Sequence, residues 1–316
     1  MYNSPKTDVK DKMVPHIERV VENCVFGEGP HWDEETQSLY FVDVMDKSIC
    51  RYVPDTKKVT KANVGAMVSI IIPVKGEKDT FLIGRERELL IITWDGKSDK
   101  VSVLKKLKIE SDLGTNFNDG KCDSKGRLWI GTVGKWSEDG TVEEERGSLY
   151  TIEKDKITKV ADKITMSNGL DFNPALKKMF YIDSHKGTID EFDFDIEQGT
   201  ITNRRPVFTL SRHDIPGLLD GMTIDSDGNL WVAICNAGKV IKVDPRKPET
   251  LLYTLSLPAK QTTSVAFGGK NMDELYVTTG RLEFGNTEKL SVPENGAVYK
   301  ITGLGSRGVR GESFAL

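Results

Sequence analysis

The chain has 316 residues, a net charge of −4 and an isoelectric point near 5.8, with 38% hydrophobic and 29% charged residues. That composition suits a folded protein with a sizeable core, and the acidic balance argues against nucleic acid or an anionic membrane as partner. No apolar run approaches the length of a membrane span.

Residues 1–15 read as a polar extension, without the apolar stretch of a secretory signal, so a cytoplasmic protein is expected. Cys24, Cys50, Cys122 and Cys235 lie far apart with no CxxC pair, and are read as reduced, buried residues. From about residue 20 to 305 one unit recurs: a turn, a large apolar residue, an aromatic, then a short β-rich run. Its instances are Ser38-Leu39-Tyr40-Phe41-Val42, the weaker Thr80-Phe81-Leu82-Ile83-Gly84, Arg127-Leu128-Trp129-Ile130-Gly131, Lys178-Met179-Phe180-Tyr181-Ile182, Asn229-Leu230-Trp231-Val232-Ala233 and Glu274-Leu275-Tyr276-Val277-Thr278. The central residues at 40, 82, 129, 180, 231 and 276 are spaced by 42, 47, 51, 51 and 45. A period of that length, filled with short alternating strands, predicts an all-β, six-bladed propeller in one domain spanning 1–316. An open sandwich is the alternative fold. Asp-Gly pairs at 95–96, 139–140 and 227–228 suit hairpin turns, and Glu143-Glu144-Glu145 reads as a solvated hairpin tip. The stretch from Ile17 to Val25 is placed to complete the last blade and close the ring.

Ten to twelve residues before each central aromatic, the units carry a second signal. Glu28-Gly29, Asp119-Gly120, Asn168-Gly169 and Asp220-Gly221 occupy that position, with Ser264 in the last unit and Ser69 or Ile70 in the second. In a propeller, equivalent positions form a ring about the axis. Acidic and amide side chains converging there repel one another and lose water, so they favour a divalent cation. Oxygen donors suit Ca²⁺, Mg²⁺ or Mn²⁺; Zn²⁺ would have no His or Cys ligand. The competing reading is that these are turn residues, since Asn-Gly and Asp-Gly mark turns in any β protein. Other turn pairs lie elsewhere in the repeat, and Glu is a poor turn former. Asn118, beside Asp119, adds a second amide. His31 lies close to Glu28 in sequence and is read either as a pocket residue or as packing. No nucleotide fingerprint, GxSxG elbow or HExxH motif is present. A metal with few protein ligands suits hydrolysis of an ester or lactone.

The chain resembles the senescence-marker-protein/regucalcin, gluconolactonase and luciferin-regenerating-enzyme family, and is most similar to its insect members. The similarity rests on Gly27-Glu28-Gly29-Pro30-His31-Trp32, Phe117-Asn118-Asp119-Gly120-Lys121, Ser167-Asn168-Gly169-Leu170, Asp220-Gly221-Met222-Thr223-Ile224-Asp225, Ser264-Val265-Ala266-Phe267-Gly268-Gly269 and Ile301-Thr302-Gly303-Leu304-Gly305. The resemblance implies one divalent metal held by Glu28, Asn168 and Asp220. It makes Asp220 the general base as well, and puts Asn118 on substrate or metal-bound water. It also implies hydrolysis of a small lactone. Two family positions depart from the pattern. An expected Arg two residues before the motif Asn is Asn116 here, and an expected acidic substrate contact falls at Trp136. Losing a cation and a carboxylate while gaining an indole predicts a more apolar or aromatic lactone or ester than a sugar lactone. Asn116, Asn118, Asp119, Trp136 and His31 are therefore the expected substrate-binding residues. The alternative is a non-catalytic calcium-binding regulator or small-ligand carrier; a protein-interaction scaffold would need no ring of oxygen ligands.

Overall fold

The computed structural model describes residues 14–108, 114–137, 141–282 and 294–316, and the backbone of 283 and 286–289. Residues 1–13 of the expected polar extension and the Asp139-Gly140 turn lie outside the described residues. The described chain forms six four-stranded antiparallel sheets and one two-stranded ribbon, Leu282–Glu283 with Asn286–Lys289. Three short 3₁₀ turns, Pro54–Thr56, Ser184–Lys186 and Leu210–His213, are the helical segments among the described residues. No helix there is long and apolar enough to cross a membrane.

Each sheet is a blade whose strands follow in chain order from the inside out. The innermost strands are β1 (Gly27–Asp33), β2 (Val68–Pro73), β3 (Asn116–Cys122), β4 (Ser167–Asn173), β5 (Leu218–Ile224) and β6 (Gln261–Gly268). Neighbouring inner strands touch all round, with β1 reaching both β2 and β6, so the sheets close into a six-bladed propeller. The sixth blade is composite. Its outer strand is His16–Val21, paired antiparallel with Val298–Thr302 in the register His16 to Thr302 and Ile17 to Ile301. This N-terminal strand covers an edge that would otherwise offer unpaired backbone groups.

The recurring aromatic explains the spacing found in the sequence. Trp129, Phe180, Trp231 and Tyr276 stand on the second strands and are at most 1% exposed. They pack against the next blade: Trp129 lies 5.8 Å edge-on to Phe172, and Trp231 lies 5.7 Å edge-on to Phe267. Each tryptophan also donates its indole N–H to an aspartate at the preceding turn, Trp129 to Asp123 at 2.9 Å and Trp231 to Asp225 at 3.1 Å. The same carboxylates accept backbone N–H groups, from Lys125 and Arg127 for Asp123 and from Asp227 and Asn229 for Asp225. Buried acids so supplied with donors are stable as anions. Burial works against Asp225, yet Lys242, Asn229 and Trp231 hold its carboxyl below the usual range.

Every inner strand is bulged near its start. Pairing with the second strand slips between Glu28 and His31, Val68 and Ile70, Phe117 and Gly120, Ser167 and Leu170, Leu219 and Met222, and Thr262 and Ser264. A bulge releases residues from the ladder and re-aims their side chains. By this register Asn118, not Asp119, is the equivalent of Glu28, Asn168 and Asp220. In the sixth blade the equivalent is Thr263, not Ser264. The sequence pattern misses by one in these two blades because Asp119 takes the place of the glycine in the third and the turn before Tyr276 is longer in the sixth.

Residues beyond the sixth blade cross one end of the ring as a strap. Ser226 donates its N–H to Arg307 at 2.7 Å and Gly308 bridges Asp225. Farther on, the Phe314 N–H reaches the Pro73 carbonyl at 2.9 Å, and the Ala315 N–H reaches the Gly126 carbonyl at 2.9 Å. Phe314 is fully buried among Ile72, Val74, Cys122 and Leu128 of the second and third blades.

Candidate functional site

The bulges feed a cavity of about 440 Å³ at the end of the ring opposite the strap. Glu28, Ser69, Asn118, Asn168 and Asp220 line it, each contributed by a different blade. Asn168 and Asp220 are buried; Glu28 and Asn118 are partly buried. The glycines after Asn168 and Asp220 have a steric cause. A Cβ on Gly169 would stand 2.6 Å from the Asp220 carbonyl, and one on Gly221 would stand 1.9 Å from Ser264 Oγ. The next blade approaches too closely for any side chain there.

Electrostatics at the floor are unfavourable to the protein alone. Burial pushes the Glu28 carboxyl well above the usual range, and the charges of Asp220 and Asp119 add to this. Asp220 is pushed well up in the same way, by burial first and then by Asp119, against hydrogen bonds from Asn168, Cys235 and the Gly221 N–H. No Lys or Arg is found among the described residues that line the cavity. The two amides are oriented to present oxygen. The Asn118 Nδ2 donates to the Ser167 carbonyl at 2.8 Å, and the Asn168 Nδ2 donates to Ser184 Oγ at 3.0 Å, which leaves each Oδ1 for the cavity. Two crowded carboxylates and two freed amide oxygens fit a hard divalent cation. Among the described residues no three His, Cys, Asp or Glu side chains gather as a metal cluster. The set is two acids completed by two amides.

Of the expected site residues, Glu28, Asn116, Asn118, Asn168, Asp220 and Trp136 come together in this cavity. Asp119 and His31 do not line it. They line a separate cavity of about 120 Å³ near the strap, with Lys121, Asp171 and Glu312. The cause is the position along each strand: residues at the bulge serve the wide cavity, and those after it serve the narrow one. Asp119 takes the glycine place of its blade, one step past the bulge residue that matches Glu28, and its charge still reaches Glu28 and Asp220. His31 packs beside Gly311 of the strap.

Sequence reasoning missed two parts of the wide cavity. One is Cys235, a buried free thiol that lines it and hydrogen-bonds Asp220. The other is the wall, built from Phe26, Val44, Met45, Met67, Met166 and Leu218. These residues sit at strand ends and turns of four blades, where no periodic pattern marks them.

Residues 26–281 match the family described as "SMP-30/Gluconolactonase/LRE-like region". The chain belongs to this family. Regucalcin of Homo sapiens is 39% identical over 297 residues, covering 93% of this chain and 96% of that protein. Regucalcin of Xenopus laevis is 37% identical over 302 residues, covering 95% and 98%. A solved luciferin-regenerating enzyme superposes with a TM-score of 0.90 at 42% identity, over 96% of this chain and 100% of that one. A calcium-binding protein, regucalcin from Agrobacterium tumefaciens, superposes with a TM-score of 0.82 at 24% identity, over 94% and 97%; at that identity the likeness concerns the fold.

Proposed function

We propose that this SMP-30/gluconolactonase family member is a divalent-metal-dependent hydrolase that opens a lactone or ester, with Glu28, Asn168 and Asp220 as ligands and calcium as the preferred ion. One observation carries the reading: acids and amides from separate blades meet on the floor of a single cavity with no Lys or Arg among its described lining residues. A divalent ion bound there supplies Lewis acidity and makes a nearby water a better nucleophile at neutral pH. Asp220 is the base that takes the proton of the attacking water. Asn168, the Gly221 N–H and the Cys235 thiol hold its carboxylate in place. Asn118, with its nitrogen tied to Ser167, offers an oxygen that orients the water or the substrate. The wall of Met, Leu, Val and Phe side chains, with Trp136 at 39% exposure and Asn116 in place of a cation, suits an apolar or aromatic acyl group. Gluconolactonases stand among the structural neighbours at 17% identity, and show the fold alone. A cytoplasmic site of action fits four buried free cysteines.

The test is turnover of aromatic lactones, aryl esters and gluconolactone with calcium, magnesium, manganese or zinc supplied in turn. Metal-dependent turnover, faster on the aromatic compounds and lost in Asp220→Ala, is the expected result. Faster turnover of the sugar lactone would count against the apolar reading. The names of the relatives support a second reading, a non-catalytic calcium-binding regulator or small-ligand carrier. Calcium binding with no turnover of any ester or lactone would favour it.

A further inference from the structure

We propose that the mouth of the wide cavity selects substrates whose non-reacting end is a cationic group such as an alkylammonium, with Glu86 and Trp136 as its receptor; this rests on the hydrolase reading above. Glu86 sits in the hairpin turn between the strands Thr80–Arg85 and Glu88–Thr93. Its backbone is left-handed, with φ of 49°. A non-glycine residue there costs roughly 1 kcal/mol, and two hydrogen bonds hold it. The Glu86 N–H donates to the Met67 carbonyl at 2.9 Å, and its own carbonyl accepts the Phe117 N–H at 2.7 Å. Glu86 is thereby fixed between the second and third blades.

Its side chain lines the cavity and is exposed. Its carboxylate has no hydrogen-bond or ion-pair partner among the described residues. That is notable because two arginines flank it and both are engaged elsewhere. Arg85 binds Glu88 at 2.5 Å and the Val64 carbonyl at 3.1 Å, and Arg87 donates to the Thr115 carbonyl at 2.7 Å. The same cavity is lined by the Trp136 indole and by the thioethers of Met45 and Met67. Among its described lining residues the only basic side chain is His185. A divalent ion on the floor would neutralise Glu28 and Asp220 and leave Glu86 without an ion-pair partner among the described residues. An aromatic face, polarisable sulfurs and an unpaired carboxylate attract a weakly hydrated cation, and they repel an anionic substituent.

The experiment compares three aryl acetates of one shape at saturating calcium: phenyl acetate, its trimethylammonio derivative and its carboxylate derivative. For the wild type, kcat/KM is expected about tenfold higher for the cationic ester than for the neutral one, and lowest for the anionic ester. In Glu86→Gln the cationic-to-neutral ratio is expected to fall to about one. A wild-type ratio of one or below, or a ratio that Glu86→Gln leaves intact, overturns the proposal. If no ester is turned over, binding of phenyltrimethylammonium to the calcium-loaded protein, read by calorimetry, decides separately. Binding weakened by Glu86→Gln and by Trp136→Leu would keep the cation site while the hydrolase reading fails. No binding, or binding indifferent to both changes, overturns the cation site.

Discussion

The two ends of the ring are built from the same six inner strands and have opposite chemistry. At the wide end, residues at the bulges place Glu28 and Asp220 together with no Lys or Arg among the described lining residues, beneath an apolar wall. At the narrow end, the residues that follow are paired: Lys121 binds Asp171 at 2.5 Å and the Met222 carbonyl at 2.9 Å, and the strap closes over them. One end therefore carries two crowded buried acids and an opening, and the other carries the Lys121–Asp171 ion pair and a cover, with burial raising the Asp119 and Glu312 carboxyls there as well. The difference shows that function in this fold is separated from stability by a few residues along each strand, not by domains.

The largest effect that should expose this contrast is at Asp220. Asp220→Ala is expected to lower kcat of ester hydrolysis by about 10²–10⁴-fold, measured at saturating calcium. In metal-free protein the conservative Asp220→Asn is expected to melt at or above the wild type, because it removes one of two mutually repelling buried acids. A clear fall in the metal-free melting temperature would mean that the site is not strained. At the other end, Phe314→Ala empties a fully buried position under the strap. It is expected to cost about 3 kcal/mol, read by urea unfolding, while calcium affinity changes little.

Calcium at about a hundredfold excess over its dissociation constant is expected to stabilise the wild type by about 2.7 kcal/mol. Glu28→Gln should remove most of that gain, and a chelator should reverse it; calorimetry or a thermal shift reads both. The smallest effect is expected at His31. Burial pushes its imidazole down to about 4; nearby Lys121 and Arg310 oppose the charged form, and Asp33 favours it. An unfolded histidine titrates near 6.5, so the unfolded chain binds the extra proton first. Stability from His31 is thus complete above pH 6.5 and is lost as pH falls from 6.5 toward 4. His31→Gln should flatten the stability profile in that window, and an unchanged profile would show that the ring is not buried in solution.

The sequence reading reached the propeller because each blade repeats one requirement, a large aromatic wedged against its neighbour, at nearly constant spacing. Glu28, Asn168 and Asp220 were legible because the steric demand for glycine after each marks the bulge. Asn118 and Asp119 were harder. The third blade has Asp119 where the first, fourth and fifth blades have the glycine, so its Asp-Gly pair falls one step late, and only the hydrogen-bond register separates the two. The fate of His31 turned on the strap, whose course over the narrow end follows from tertiary contacts of Gly308, Gly311 and Phe314. The apolar wall and Cys235 could not be read at all, since single residues from distant turns leave no pattern.

The clasp between His16–Val21 and Val298–Thr302 has a kinetic consequence. It joins segments from opposite extremes of the described chain, so the ring cannot be completed until nearly all of the polypeptide is available. Such non-local pairing is slow. Until it happens, the free edge of Val298–Thr302 and the unpaired segment His16–Val21 are open templates for another molecule's strand. Refolding yield should therefore fall as protein concentration rises, long before any step at the proposed metal site becomes relevant.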